Sequence, residues 1–175
     1  MKLIIVTGER GAGKTTFCAR WIDLARSSGR DVAGVLSPAV IANDQKLAID
    51  AIDLRSMRRQ RLATFNPAAD DPRELHWRFD ADVLAWGNVV LAESTPADIL
   101  IVDELGVLEF ERGQGWLAGL NVLDSGDYRL GLVVIRPELL QQAQRRWPLA
   151  QVITIENVQQ ARAEADRLWR ETSSG

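Results

Sequence analysis

Five short apolar runs mark the chain: Leu3–Thr7, Val32–Ser37, Ile99–Asp103, Leu130–Ile135 and Val152–Ile155. They lack the alternation of a half-exposed strand, so they predict strands covered on both faces, as in a parallel sheet. Between them the apolar positions recur every three or four residues. Phe17, Trp21 and Leu24 fall at i, i+4 and i+7, and Gly29 supplies a stop. Asp80 reads as the cap of a helix carrying Val83, Trp86 or Gly87, Val90 and Leu91. Trp116, Leu120 and Leu123 mark a third helix, and Pro137 opens a fourth that Pro148 closes. Asn157 caps a last helix with Val158, Ala161, Ala165 and Leu168 on one face. Strands alternating with helices predict an α/β fold. Its mainly parallel sheet has about five core strands, helices on both faces and right-handed crossovers.

Two segments depart from this rhythm. Residues 38–64 carry two β-like stretches around the turn signal Asn43-Asp44, which predicts an antiparallel hairpin added to a sheet edge. Residues 65–78, FNPAADDPRELHWR, have no periodicity and read as an irregular loop, long enough to suggest a functional role. A length of 175 residues suits one domain over 1–175, with a frayed tail after Glu171.

The first strand and the first helix are joined by GERGAGKTT, Gly8 to Thr16. Gly8, four residues, Gly13, Lys14 and Thr15 fit the phosphate-binding loop G-x-x-x-x-G-K-[ST]. In such a loop, glycines let backbone N–H groups turn inward around phosphate oxygens. Gly8, Glu9, Arg10, Gly11, Ala12, Gly13, Lys14, Thr15 and Thr16 are therefore the expected nucleotide-binding residues. Lys14 would neutralise the β- and γ-phosphates, the Thr15 hydroxyl would ligate Mg²⁺, and the helix start aims its positive dipole end at the anion.

A second motif, ADILIVDELG from Ala97 to Gly106, ends a strand on two carboxylates. Asp103, expected at the tip of a strand beside the loop-bearing one, suits the Mg²⁺ shell, through water. Glu104, one residue on, is placed to orient and deprotonate an attacking water, or else to pair with a surface arginine.

The net charge of −3 argues against a nucleic-acid surface as the main business. The basic run Arg55 to Arg61 reads as a solvated loop rather than a phosphate contact. No apolar stretch approaches the ~18 residues of a membrane span. No signal peptide is visible, and Cys18 is the only cysteine, so a cytoplasmic protein without disulfides is expected.

These motifs, with GVLSPAV, QKLAIDAIDL and IVDELGVLEF, resemble the small P-loop nucleoside-triphosphatases, the group of thermophile and cancer-related enzymes, from Lys2 to about Asn157. That family's D-E-I-G-x-M-E pattern is matched by Asp103, Glu104, Gly106 and Glu109, and its second-strand pattern by Gly34 and Pro38. The resemblance implies Mg²⁺-dependent hydrolysis of nucleoside triphosphates such as ATP and GTP to diphosphates, with loose base preference. The chain departs from it at Glu9 and Arg10, where prolines are common, and at Ala48, where a glycine is expected. It also has Arg136 alone where the family often has a His-Arg pair.

Other residues keep two readings. Arg10 either faces the γ-phosphate, as an arginine finger does, or points to solvent or Glu9. Arg136, at the C-terminal end of a core strand, either meets phosphate or a catalytic carboxylate or stays structural; Lys14, Glu104 and Arg136 form the expected catalytic set. Glu109 either joins a water network, as the resemblance implies, or pairs with Arg112. His76 reads as an exposed loop residue, Cys18 as a small buried hydrophobe, and Trp77 as a loop residue able to stack on a base. Thr154 to Asn157 stand where P-loop folds place base contacts. The alternatives to a hydrolase are a small-molecule or nucleotide kinase, and a nucleotide-controlled switch whose protein partner meets the hairpin or the 65–78 loop.

Overall fold

A computed structural model of the chain describes residues 2–43, 45–66 and 77–173. Five strands form the parallel core: β1 (Lys2–Thr7), β2 (Val32–Leu36), β7 (Ala97–Leu105), β8 (Tyr128–Ile135) and β9 (Gln151–Thr154). They lie in the order β2-β7-β8-β1-β9, each parallel to its neighbour. The apolar runs thus became strands within two residues of each expected end. Under their continuous hydrophobicity a two-residue alternation still sorts the side chains. Ile4, Val6, Ile99, Ile101, Leu130 and Leu132 pack with α1 (Lys14–Ser27) and α6 (Val158–Ser173). Leu3, Ile5, Leu100, Val102, Val133 and Ile135 pack with α2 (Ala81–Ala92) and α4 (Leu117–Ser125) on the opposite face. Each such side chain contributes about 1.5–3 kcal/mol by leaving water.

Capping follows the sequence. The Asp80 carboxylate accepts from the N–H groups of Asp82 (3.0 Å) and Val83 (3.1 Å), and Asn157 accepts from the Gln160 N–H (2.9 Å). In α2 the buried position is Gly87 rather than Trp86. Trp116 lies so close to Gly87 that a Cβ there would sit 2.1 Å from the indole ring, while Trp86 turns outward under Arg58. The helix expected from Pro137 begins as a helical turn, Pro137–Leu139, that leads into α5 (Leu140–Arg146), while the short α3 (Val107–Glu111) had no periodic signal.

The antiparallel addition is larger than one hairpin. β3 (Ala39–Ala42) and β4 (Gln45–Asp53) form the expected pair around Asn43, whose φ is +49°; Asp44 lies outside the described residues. β4 also pairs with β2 and with β5 (Arg59–Phe65), and β6 (Trp77–Phe79) extends the sheet beyond β5. Phe65, Trp77 and Arg78 are therefore strand residues, a correction to the irregular loop expected over 65–78. Residues 67–76 of that loop, with His76, lie outside the described residues. The basic run is occupied within this addition. Arg59 and Arg61 converge on the buried Asp50 at 2.6 and 2.5 Å, and Arg55 holds Asp31 at 2.7 Å and the Pro96 carbonyl at 2.6 Å.

One positional expectation fails. The strand ending in Asp103 is not beside β1, because β8 lies between them. The registers explain why the carboxylate still serves the loop. Val102 and Ile5 are both level with Val133, so Asp103 stands at the height of the β1 end, two strand spacings or about 9.6 Å away. The start of α1 spans that gap. Among the described residues, no helix is long and apolar enough to cross a membrane.

Candidate active site

The loop between β1 and α1 folds tightly against the segment after β9. Gly8 has φ +142°, and a Cβ on it would lie 2.1 Å from the Ile155 carbonyl oxygen, so only glycine fits there. A Cβ on Gly13 would lie 3.0 Å from the Val158 Cα. The Thr154 to Asn157 segment thus borders the loop. Lys14 folds back over the loop, its ammonium donating to the carbonyls of Gly8 (2.6 Å) and Glu9 (2.8 Å). Burial lowers its pKa; the charge of Arg136 acts the same way, while Glu104 and Asp103 oppose it. A half-buried cation at a helix N-terminus, on a glycine-rich loop, is suited to phosphate.

Asp103 is 1% exposed. One carboxylate oxygen accepts from the Ser37 N–H at 3.0 Å, and the other faces the Thr15 hydroxyl at 3.4 Å. Burial, reinforced by the neighbouring Glu104 charge, pushes its carboxyl up to about 7, against the pull of Ser37, Thr15 and Lys14. The expected pairing of Thr15 with Asp103 is therefore present in space.

Glu104 follows a different geometry. Its φ is +71°, uncommon for a residue with a side chain, and it lies within a register shift between Val102 and Leu105 on the β7–β8 pair. Val102 and Leu105, three residues apart, belong to the same core face, so the bulge absorbs one residue and releases Glu104 from strand alternation. Its carboxylate meets the Arg136 guanidinium at 2.7 Å. Asp103 thus faces the phosphate loop, and Glu104 borders a cavity on the other side.

That cavity has a volume of about 230 Å³. Glu104, Arg136, Arg10, Ser37 and Glu109 are among its polar lining, and Leu62, Phe79, Leu84, Val107 and Trp116 are among its apolar walls. Arg10 is exposed, in keeping with its solvent-facing reading, and also borders the same space as Glu104. Glu109 lines the same cavity and also ties two elements together. Its carboxylate accepts from the N–H groups of Gly106 (2.7 Å) and Trp116 (2.6 Å), which ties α3 to the start of α4. Gly115, with φ +77°, leaves the room it needs, since a Cβ there would lie 1.9 Å from a carboxylate oxygen. Burial raises the Glu109 pKa, and the two N–H donors work against that rise.

Sequence reasoning missed Lys46. It lies on β4, half-buried, with its ammonium 5.0 Å from the centre of the Trp77 ring. Burial lowers its pKa; among its charged neighbours Glu104 raises it and Arg10 and Arg136 lower it. No local motif marks a lysine brought to the site by a distant hairpin. Trp77, the proposed base-stacking residue, instead holds this lysine and packs edge-on against Phe65.

A glycine-rich loop between a strand and a helix, with a strand-end carboxylate facing its threonine, defines a P-loop nucleotide-binding protein. A family model described as NTPase matches residues 3–166, and the chain belongs to that nucleoside-triphosphatase family. Among relatives, a "Nucleoside-triphosphatase THEP1" of Methanothermobacter thermautotrophicus is 28% identical over 112 residues, 62% of this chain and 62% of the relative. The protein of that name from Methanopyrus kandleri is 27% identical over 62% of this chain and 59% of its own length. The matched stretch thus spans less than two thirds of these relatives. Among solved structures, a human cancer-related nucleoside triphosphatase superposes with a TM-score of 0.71 at 21% identity, covering 100% of both chains. THEP1 from Aquifex aeolicus superposes with a TM-score of 0.64 at 13% identity, over 95% of this chain and 96% of that one. These two likenesses bear on the fold.

Proposed function

We propose that the chain hydrolyses nucleoside triphosphates to diphosphate and phosphate with the help of Mg²⁺. The observation that carries this reading is the convergence of Lys14, Thr15 and Asp103 at the loop, with Glu104 immediately beyond them. The family membership and the names of the relatives support the same reading. In it, loop N–H groups, Lys14 and the α1 dipole take up the phosphate charge. Thr15 and Asp103 would hold the metal. The fit is chemical: two hard oxygens face each other, and the carboxylate is buried deeply enough to favour a proton unless a cation replaces it. Mg²⁺ bound there would neutralise charge on the phosphate oxygens. Glu104 takes the proton of the attacking water as the water oxygen bonds to the γ-phosphorus. The bridging oxygen then leaves with the diphosphate. Arg136 holds the Glu104 carboxylate in place until that step.

The test is phosphate release from ATP, GTP, CTP and UTP by the full chain alone. Release with Mg²⁺ or Mn²⁺ and none in excess chelator is expected. Full turnover in chelator would remove Thr15 and Asp103 from the metal role. No release without an added second substrate or partner would favour the kinase or switch reading.

A further inference from the structure

The cavity beside Glu104 is larger than a single attacking water requires. One water takes about 30 Å³ of liquid and needs two to four polar partners, whereas this space is about 230 Å³. Among the described residues its lining combines Glu104, Arg136, Arg10, Ser37 and Glu109 with aliphatic and aromatic side chains, among them Leu62, Phe79, Leu84, Val107 and Trp116. The nucleotide does not account for it. Of the loop Gly8 to Thr16, Arg10 is the one described residue in the lining, and the segment after β9 that borders the loop contributes none. The cavity thus borders the Glu104–Arg136 pair next to the phosphate loop, where a group other than the nucleotide could approach Glu104. At the packing density of protein interiors it has room for roughly 170 Å³ of molecule, the size of a two-ring fragment rather than a peptide.

We propose that this cavity binds a small flat aromatic alcohol or phenol, with its ring between the Trp116, Phe79 and Leu84 side chains and its hydroxyl at Glu104, and that this hydroxyl accepts the γ-phosphoryl group. The inference rests on the reading of Glu104 as the base. The step parallels hydrolysis. The hydroxyl oxygen bonds to the γ-phosphorus, its proton passes to Glu104, the bond to the bridging oxygen breaks, and the diphosphate leaves. An aryl or benzylic phosphate replaces free phosphate as product.

The probe is 2-naphthol, with roughly eleven non-hydrogen atoms, for which a Kd on the order of a millimolar is expected. Calorimetric titration of the full chain without nucleotide should show saturable binding. Leu84→Trp, at a half-exposed wall position, should fill the cavity and weaken binding at least tenfold, and Val107→Phe, from the α3 side, should do the same. With γ-labelled ATP and Mg²⁺, 2-naphthol should yield naphthyl phosphate, lost in both variants while release to water persists. Absence of saturable binding, or binding that neither variant changes, overturns the site. Binding with phosphate release but no naphthyl phosphate overturns the acceptor role alone. No release and no transfer overturns the hydrolase reading as well, and the nucleotide-free titration still reads the site by itself.

Discussion

On the α1 face of the sheet, Lys14, Thr15 and their loop come from one unbroken stretch of chain, and Asp103 joins them from a strand end. On the α2 face, the cavity walls come from β4, β5, β6, α2, α3 and the residue before α4. In the proposed reading the first side would meet phosphate mainly through backbone N–H groups, which respond to charge and not to the rest of a molecule. The second is made of side chains scattered along the chain, some of them, such as Ile49, Leu62 and Trp116, shared with the core. A site divided this way keeps phosphate binding constant while the attacking group is set elsewhere, and Glu104 stands on the boundary.

The largest effect should come from the first side. Lys14→Ala leaves the phosphate charge uncompensated at a half-buried position, so triphosphate affinity and turnover should both collapse. Equilibrium binding of a fluorescent nucleotide, beside phosphate release, checks this; preserved turnover would detach the loop from the chemistry.

Arg136 sharpens the boundary. If it acts by holding Glu104, Arg136→Ala should lower kcat more than it raises KM, by no more than the ~10²–10⁴ that a positioned base is worth. In a Glu104→Gln background the same substitution should then cost little, because residues acting as a unit are not additive. A full repeat of the loss in that background would mean that Arg136 meets phosphate on its own.

A smaller effect concerns Asp103 in nucleotide-free chain with chelator. Its carboxyl is raised to about 7 in the fold, against ~3.9 unfolded, so between these values the folded state binds the extra proton. The resulting stability is complete below about pH 4 and is lost as pH rises through about 7. Urea midpoints should therefore fall from pH 5 to pH 7.5 more in the parent than in Asp103→Asn. Equal falls would mean that the carboxyl is not raised.

How much of this could be read from sequence follows the same division. The loop was legible because backbone chemistry imposes a spacing, and the five core strands because burial on both faces imposes apolar runs. Asp103-Glu104 was legible as a strand-end pair. That the pair is split by a bulge was not, because a left-handed glutamate leaves no local mark. The strand order escaped too, since adjacency in a parallel sheet depends on crossovers rather than on any one residue; β8 entered between β1 and β7 unannounced. Glu109 was drawn toward the chemistry by its place in a motif, while its geometry is that of a pin across a turn. Lys46 and the cavity required the tertiary structure, because their parts are scattered along the chain.

The most direct test is Glu104→Gln, followed by single-turnover phosphate release and nucleotide affinity on the same samples. Glutamine keeps the size and an acceptor for Arg136 but cannot take a proton. Affinity for Mg²⁺ and triphosphate should stay within a fewfold of the parent, since Lys14, Thr15 and Asp103 are untouched, while release falls by ~10²–10⁴. Near-parental release would contradict Glu104 as the base, and a joint loss of binding and release would place it with the metal instead.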